Sequence, residues 1–269
     1  MKIKNRQLDA LLSRLFYILF TLAALSCIFV LILAGRGTKS DIYKAPKHNT
    51  EDTDVSYSSV VLNKTADYGQ NYIDSIIFLG DYTINEMLNQ KILSGGKSSY
   101  QIWSGEGGDI PLDANASSVS VVFPDSDEIV KLSEALSRRT PKYLIVTLGV
   151  SNGVPYCDKE KFFSYYQDVI DVIKESAPGT TVILQSILPV SKKAERKNPA
   201  LSNERIDKAN EWIMELCQKN NLKFLYTSEA LKDEKGRLNK DYVSDDGLSM
   251  NQEGYKKMLK YIKTHGYNG

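Results

Sequence analysis

Histidine and cysteine are scarce in this chain. Its 269 residues include two histidines, at positions 48 and 265, and three cysteines, Cys27, Cys157 and Cys217. The cysteines lie far apart without a Cys-x-x-Cys spacing, so they indicate neither a zinc site nor a disulfide framework. The sequence leaves open whether Cys157 and Cys217 are free thiols or form a single disulfide bond. We expect no metal ion and no other cofactor.

Net charge is also nearly absent. Lys and Arg number 34 against 33 Asp and Glu, which leaves a formal charge of +1. A chain without a strong positive field has nothing to draw it to the phosphates of a nucleic acid. No nucleic-acid partner is therefore expected. The hydrophobic share of 42% and the charged share of 25% are ordinary for a globular protein.

One long apolar run lies near the start of the printed sequence. Residues 15–35, LFYILFTLAALSCIFVLILAG, carry no charge, and about 20 apolar residues cross a bilayer as a helix. The run predicts a single transmembrane helix in membrane lipid, after a cytoplasmic segment 1–14. Basic residues precede the run, which favours an N-terminus on the inside, although others follow it. A cleaved signal peptide is the alternative, but its apolar core is usually only about 7–15 residues long.

The remainder of the chain divides by pattern into two parts. Residues 36–70 are rich in Lys, Asp, Thr and Ser without sustained periodicity, which predicts an extracytoplasmic linker. Over residues 71–269, short apolar runs alternate with amphipathic stretches, as in repeated strand–helix units around a parallel sheet. This second part is expected to form one α/β domain.

The expected strands and helices follow from the period of the apolar residues. Strands are predicted at Ser75–Leu79, Tyr100–Trp103, Ser118–Val122, Tyr143–Leu148, Thr180–Gln185 and Lys223–Leu225. Helices are predicted at Thr83–Leu93, Ser126–Arg138, Lys159–Ser176, Asn203–Asn220 and Gln252–His265.

Three segments with polar residues follow strands or precede the last helix. They are Gly-Asp-Tyr at 80–82, Gly-Val-Ser-Asn at 149–152 and Asp-Gly-Leu-Ser at 246–249. Ligands of open parallel sheets bind beyond the carboxyl ends of the strands. In order and context the segments resemble the motifs of the SGNH or GDSL-type hydrolases, in particular a bacterial membrane-anchored branch. The resemblance implies a flavodoxin-like three-layer α/β/α sandwich with a mostly parallel sheet.

The same resemblance shows where this chain departs from the family. The position of the attacking serine holds Tyr82, and the position of the catalytic histidine holds Ser249. The oxyanion-hole asparagine falls on Ser151, with Asn152 displaced by one, while the triad aspartate is kept as Asp246. A hydroxyl is a poor nucleophile without an adjacent base. Loss of catalysis is therefore expected.

The residues around these positions remain candidates for a binding cleft. They are Gly80, Asp81, Tyr82, Gly105, Gly107, Gly149, Asn152 and Asp246. A glycine of the family also binds the oxyanion, and by resemblance Gly105, Gly107 or Gly108 takes this place. Asp81 is equally expected to cap the helix that follows it.

Together these features predict a single-pass protein of the cell membrane with an extracytoplasmic, inactive hydrolase-like domain. Its expected role is binding or scaffolding at an acylated cell-surface glycan or with a membrane protein partner, because the family's substrates are often acyl esters of carbohydrates. The alternative is a divergent esterase or deacetylase of surface carbohydrate. It would use the hydroxyl of Thr83, Ser151 or Ser249 with Asp246 as base.

Two further features have no place in that function. Residues 192–197 contain four basic side chains, which are typical either of a solvated loop or of contact with an anionic polymer or lipid. The chain also has 16 tyrosines, and an exposed tyrosine ring can stack on a sugar.

Overall fold

The computed structural model describes residues 57–115, 118–123 and 128–268. Its strands are β1 (Ile76–Gly80), β2 (Ile102–Trp103), β3 (Ser120–Phe123), β4 (Glu128–Lys131), β5 (Tyr143–Thr147), β6 (Thr181–Gln185) and β7 (Lys223–Leu225). Its helices are α1 (Gly69–Asp74), α2 (Tyr82–Gln90), α3 (Leu132–Arg138), α4 (Gly153–Tyr156), α5 (Lys159–Ser176), α6 (Lys192–Lys197), α7 (Asn203–Asn220) and α8 (Gln252–Lys263). The predicted transmembrane segment 15–35 lies outside the described residues. Within them, every helix is too short or too polar to cross a bilayer.

Five parallel strands form the main sheet, in the order β2-β1-β5-β6-β7. Successive residues of β1 point to opposite faces: Ile77 and Leu79 join one hydrophobic cluster, and Ile76 and Phe78 join the other. Helices α3, α5 and α7 supply apolar residues to the first cluster, and α1, α2 and α8 to the second. Strands buried on both faces need such helical cover. The predicted α/β fold with a mostly parallel sheet is thereby confirmed.

The longest predicted helices have the observed bounds. Both α5 and α7 begin and end where the apolar spacing placed them, at Lys159–Ser176 and Asn203–Asn220. Each begins with a side-chain cap, from Asp158 in α5 and Ser202 in α7. A cap satisfies a backbone N–H that has no partner within the helix, so local chemistry and burial agree at these ends.

The helix predicted at Ser126–Arg138 is wrong in its described first half. Glu128–Lys131 is strand β4, which pairs antiparallel with β3, and only Leu132–Arg138 is helical. The β3 strand, predicted as part of the parallel sheet, belongs instead to this separate two-stranded sheet. Adjacent β-branched residues at 129 and 130 favour an extended backbone. The short helices α1, α4 and α6 were not predicted, because they are too short to show a period.

Residues before position 71 also pack on the domain. Val61 forms a parallel bridge with Phe224. The Leu62 N–H donates to the Phe224 carbonyl, and the Phe224 N–H donates to the Val60 carbonyl, both at 2.9 Å. The pairing covers the edge of β7, which would otherwise present unpaired backbone groups. The predicted linker over 36–70 therefore remains a prediction only for its part before residue 57.

Both described cysteines are free thiols. Cys157 follows α4 and Cys217 lies in α7, and both are buried without a bridge between them. Burial raises the pKa of each thiol. Neither cysteine is therefore a reactive thiolate near neutral pH.

Candidate functional site

Two hydroxyls meet on one carboxylate oxygen at the carboxyl end of the sheet. The Tyr82 hydroxyl donates to Asp246 Oδ2 at 2.8 Å, and Ser249 Oγ donates to the same oxygen at 2.7 Å. The backbone N–H groups of Leu248 and Ser249 donate to the other oxygen, Oδ1, at 2.8 and 2.9 Å. The fold thus brings together Tyr82, Asp246 and Ser249, the three residues that the resemblance predicts at the positions of nucleophile, acid and histidine.

The Asp246 carboxylate is held in its charged form. Partial burial is the largest single effect and opposes ionisation, but the hydrogen bonds from Leu248, Ser249 and Tyr82 together outweigh it and lower the pKa of Asp246. A carboxylate of lowered pKa is a weak base. It accepts the two hydroxyl protons as hydrogen bonds but has little tendency to remove either.

The Tyr82 phenol stays protonated. Burial, followed by the hydrogen bond to Asp246 and the negative charge of that residue, raises the pKa of Tyr82 above its ordinary value of 10.0. A tyrosine nucleophile requires the opposite shift, from a cation or a base beside the hydroxyl. The hydroxyl of the half-buried Tyr82 side chain therefore acts as a hydrogen-bond donor to Asp246.

His265 is the one histidine among the described residues, and it lies far from this cluster. Ser249 precedes α8 and His265 follows it, and this helix has 12 residues. At about 1.5 Å per residue, α8 separates them by about 18 Å. The His265 ring stacks on Tyr261 with 3.7 Å between ring centroids, and its Nδ1 lies 2.9 Å from the Tyr261 carbonyl oxygen. Its imidazole cannot take a proton from Tyr82.

Asp81 joins two of the loops that form the cleft. As N-cap of α2 it accepts hydrogen bonds at Oδ1 from Thr83 N at 3.1 Å and Thr83 Oγ1 at 2.6 Å. Its Oδ2 accepts from the Val150 N–H, after β5, at 3.0 Å. Complete burial is the largest effect on this group, and together with the nearby charge of Asp109 it raises the pKa of Asp81 to about 6.

Asp81 makes the stability of the domain pH-dependent in a predictable direction. Its folded-state pKa of about 6 exceeds the ordinary value of 3.8, so its contribution to the unfolding free energy is full only below that ordinary value and is lost as the pH rises through 6. We expect the unfolding free energy of the wild type, relative to Asp81→Asn, to fall by about 2 kcal/mol between pH 4 and pH 7. Urea unfolding of both proteins at four pH values measures this difference. A difference that is constant with pH would contradict it.

Asp109 belongs to the site although its sequence pattern did not single it out. Its Oδ1 accepts hydrogen bonds from the Tyr82 N–H at 2.9 Å and from Ser151 Oγ at 2.8 Å. The resemblance predicts Ser151 at the position of the oxyanion-hole asparagine, and a backbone N–H beside the nucleophile is the usual second donor of such a hole. A carboxylate oxygen therefore occupies a point where donors of an oxyanion hole would converge. Only its place after the glycine-rich turn hinted at this role.

The glycine candidates differ in their surroundings. A Cβ added to Gly80, Gly105 or Gly149 would come within 2.5, 2.2 and 2.5 Å of its nearest neighbouring atom, respectively. These three positions therefore serve close packing. Gly107 has no atom within 4 Å of an added Cβ, and its φ of +73° explains the glycine there. The Gly108 N–H donates to the Gly105 carbonyl at 2.9 Å, which engages it within the turn.

Asn152 does not join the cluster around Asp246. Its Nδ2 lies 3.5 Å from Asp113 Oδ2, and its φ is +65° at the start of α4. Within the part of the chain that the structure describes, no three or more His, Cys, Asp or Glu side chains are grouped to hold a metal ion. The cluster thus consists of hydroxyls and carboxylates.

Family comparison agrees with this architecture. Residues 101–257 match the model of the GDSL-like lipase/acylhydrolase family. The match covers more than half of the chain, which therefore belongs to this family. The matched range includes Asp109, Ser151, Asp246 and Ser249, and it begins after Tyr82.

Several solved structures are similar to this chain. A putative platelet activating factor from Streptococcus pneumonia is 19% identical, with a TM-score of 0.48 over 80% of this chain and 98% of that one. A putative acylhydrolase from Bacteroides fragilis is 16% identical, with a TM-score of 0.45 over 80% and 94%. A carbohydrate esterase family 3 protein from Talaromyces cellulolyticus is 15% identical, with a TM-score of 0.45 over 70% and 93%. A search of curated proteins found no match. None of these likenesses bears on the ligand of this chain.

Proposed function

We propose that this GDSL-family protein is a catalytically inactive, membrane-anchored binding or scaffolding protein whose domain lies outside the cytoplasm. Its cleft would bind an acylated cell-surface glycan. The observation that carries the proposal is the acceptance of both the Tyr82 and the Ser249 hydroxyls by Asp246 Oδ2, at 2.8 and 2.7 Å. In these contacts both hydroxyls donate to Asp246, and neither Tyr82 nor Ser249 supplies the basic nitrogen that would transfer a proton.

Ester hydrolysis by the family's route needs a base between the aspartate and the nucleophile. In a serine triad the histidine takes the proton from serine, and the aspartate only orients and stabilises that histidine. Ser249 at the histidine position has no basic nitrogen, and Tyr82 has a raised pKa. The loss of a triad member in such enzymes costs several orders of magnitude in rate.

Asp109 supports the same conclusion from the other side of the cleft. An oxyanion hole accelerates acyl transfer by aiming donors at developing negative charge. Here the Tyr82 N–H and Ser151 Oγ already donate to a carboxylate. A second negative charge at this point would meet repulsion instead of stabilisation.

The binding role rests on the polar groups that the cleft retains. Asp109, Asp246 and the Tyr82 ring offer acceptors and an aromatic surface to a polar ligand, and hydroxyl-rich carbohydrate suits such groups. The acyl part of the ligand comes by analogy with the family. Membrane anchoring rests on the apolar run 15–35, which would place the protein in the cell membrane with a single span.

Purified full-length protein in mild detergent is expected to hydrolyse p-nitrophenyl acetate no faster than the buffer does. The physical reason is that no histidine among the described residues lies beside a hydroxyl of the cleft. Asp246→Ala is the matched variant, and its rate should equal that of the wild type. Turnover by the wild type that disappears in Asp246→Ala would contradict the inactive assignment.

Calorimetry tests the binding half separately. An O-acetylated peptidoglycan fragment is titrated into the full-length chain beside its de-O-acetylated counterpart. We expect heat from the acetylated fragment and a loss of affinity in Tyr82→Ala. If neither fragment binds, the glycan assignment fails even though the absence of catalysis stands.

The alternative is a divergent esterase, and one observation favours a particular hydroxyl for it. Thr83 and Ser249 are each 1% exposed, so an ester cannot approach their oxygens in this conformation. Ser151 is partly exposed, and its Oγ lies 2.8 Å from the Asp109 carboxylate. Any turnover should therefore disappear in Ser151→Ala and persist in Asp246→Ala, which separates this route from one that uses Asp246 as base.

A further inference from the structure

A groove separate from the cleft lies on the helical surface of the domain. It has a volume of about 550 Å³, within the range of small-molecule sites. None of the cleft residues Tyr82, Asp109 and Asp246 lines this groove. Its walls come from α4, the start of α5 and α7, and include Pro155, Tyr156, Lys159, Arg205, Lys208 and Trp212.

The groove presents an aromatic ring on a fixed backbone. Tyr156 is 73% exposed, which exceeds the exposure of Tyr100 at 41% and of Tyr68 at 36%. The short helix that carries it is tied to α7, because Arg205 donates from Nε and Nη2 to the Val154 carbonyl at 3.3 and 2.8 Å. A ring that stays exposed to water adds no free energy of burial to the stability of the fold. An exposed face of this kind is suited to stacking on a flat, partly apolar ligand.

Positive charge within the groove is mostly neutralised by nearby acids. Lys159 pairs with Glu215 at 2.6 Å, and Lys208 pairs with Glu211 at 2.5 Å. The Arg205 guanidinium has a carbonyl for its partner instead of a carboxylate. It therefore keeps its full charge in the wall, with further N–H groups beyond those that bind Val154.

A cluster of unneutralised charge adjoins the groove. The short helix α6 exposes four basic side chains, Lys192, Lys193, Arg196 and Lys197, and none of them forms an ion pair with any other residue that the structure describes. Lys193 Nζ donates to the Asp245 carbonyl at 2.7 Å. The turn Pro199–Leu201 packs against both α6 and α4. The basic helix α6 and the helix that carries Tyr156 therefore both contact one short turn.

We propose that this groove and α6 together bind a carboxylate-bearing glycan. A sugar ring would stack on Tyr156, and the carboxylates of the same chain would contact Arg205 and the basic side chains of α6. Guanidinium groups bind carboxylates in two-point geometry. A flat lipid surface would touch convex parts of the protein, whereas an extended polymer follows a concave groove. The groove itself contains none of the cleft residues Tyr82, Asp109 and Asp246, whereas α6 also contacts the loop before Asp246, through the hydrogen bond from Lys193 Nζ to the Asp245 carbonyl.

Binding of a hyaluronan octasaccharide tests the site. Hyaluronan serves as the probe because it alternates carboxylated with neutral sugars, and its carboxyl-reduced form is the neutral counterpart. The full-length chain in detergent is titrated with each by calorimetry at low and high salt. We expect binding of the carboxylated form at low salt that weakens as salt screens the charges, and much weaker binding of the reduced form.

Matched variants separate the ring from the charge. Tyr156→Ala should weaken binding about fivefold, whereas Tyr156→Phe, which keeps the ring, should bind like the wild type. Arg196→Ala with Lys197→Ala should weaken binding about tenfold at low salt. Removing two exposed lysines from α8, on the other face of the sheet, should have no effect; this control is Lys257→Ala with Lys260→Ala.

Several results would overturn the proposal. One is no binding of the octasaccharide at millimolar concentration, and another is equal binding by all variants. Inorganic polyphosphate that binds as tightly, without any loss in Tyr156→Ala, would indicate a merely cationic surface. Vesicles of phosphatidylglycerol that displace the octasaccharide through α6 alone would indicate a membrane contact instead. Tyr82→Ala, which alters the cleft, should leave octasaccharide binding unchanged, so failure here is distinct from failure of the cleft proposal.

Discussion

Tyr82→Ser combined with Ser249→His is expected to create ester hydrolysis on the order of 10²-fold above the wild type. The introduced imidazole would stand beside Asp246 Oδ2, where Ser249 Oγ now lies at 2.7 Å. It would there have the aspartate behind it and the introduced serine in front, as a triad requires. Values of kcat/KM with p-nitrophenyl acetate measure the gain.

The Asp109 carboxylate limits this gain in hydrolysis rate, and its removal should raise the rate further. With Asp109→Ala added, Tyr82 N–H and Ser151 Oγ lose the carboxylate that they now contact at 2.9 and 2.8 Å. They become free for the substrate oxyanion, which is worth roughly another 10²-fold. Asp109→Ala by itself should remain inactive, because it supplies no base. A folded double variant without any activity would contradict the triad spacing inferred for these positions.

Gly105→Ala is expected to destabilise the domain by about 3 kcal/mol. An added Cβ would lie 2.2 Å from the Asp109 carbonyl oxygen, which is a backbone atom and cannot turn away. The strain must displace Asp109 and with it the hydrogen bonds to Tyr82 and Ser151. Urea unfolding measures the loss.

Two glycines provide controls for that substitution. Gly179 has no atom within 4 Å of an added Cβ and no positive φ, so Gly179→Ala should change stability by less than about 0.5 kcal/mol. Gly107 is equally free of contacts but has a φ of +73°, so Gly107→Ala should cost about 1 kcal/mol from backbone strain. If Gly105→Ala were no worse than Gly107→Ala, the close approach to Asp109 would not constrain this turn.

Prediction from sequence succeeded where one local signal and burial agreed. The apolar spacing of α5 and α7 placed both helices with their observed bounds. It failed at β4, because Glu128–Lys131 runs into the amphipathic stretch of α3 without a turn signal between them, and its pairing with β3 is a tertiary choice. A pattern in one segment cannot show which partner the segment will find.

The candidate site divides in the same way. The family's motif order predicts Tyr82 and Ser249 at the serine and histidine positions, and the structure shows that both donate to Asp246. Asp109 was not identified, because its role depends on two donors that are 27 and 42 positions away along the chain. Neither separation leaves a trace in local composition.

The sequence by itself determined the α/β class, the two long helices over the sheet and the small number of histidines, which is two. These features follow from the period of the apolar side chains and from residue identity. Both can be read without knowing which residues are neighbours in the folded protein. Only the tertiary structure decided that the Asp109 carboxylate accepts from both the Tyr82 N–H and Ser151 Oγ, and that the helix carrying Tyr156 and the basic helix α6 contact the same turn. Such contacts join distant parts of the chain, and their energies exist only once the chain has packed.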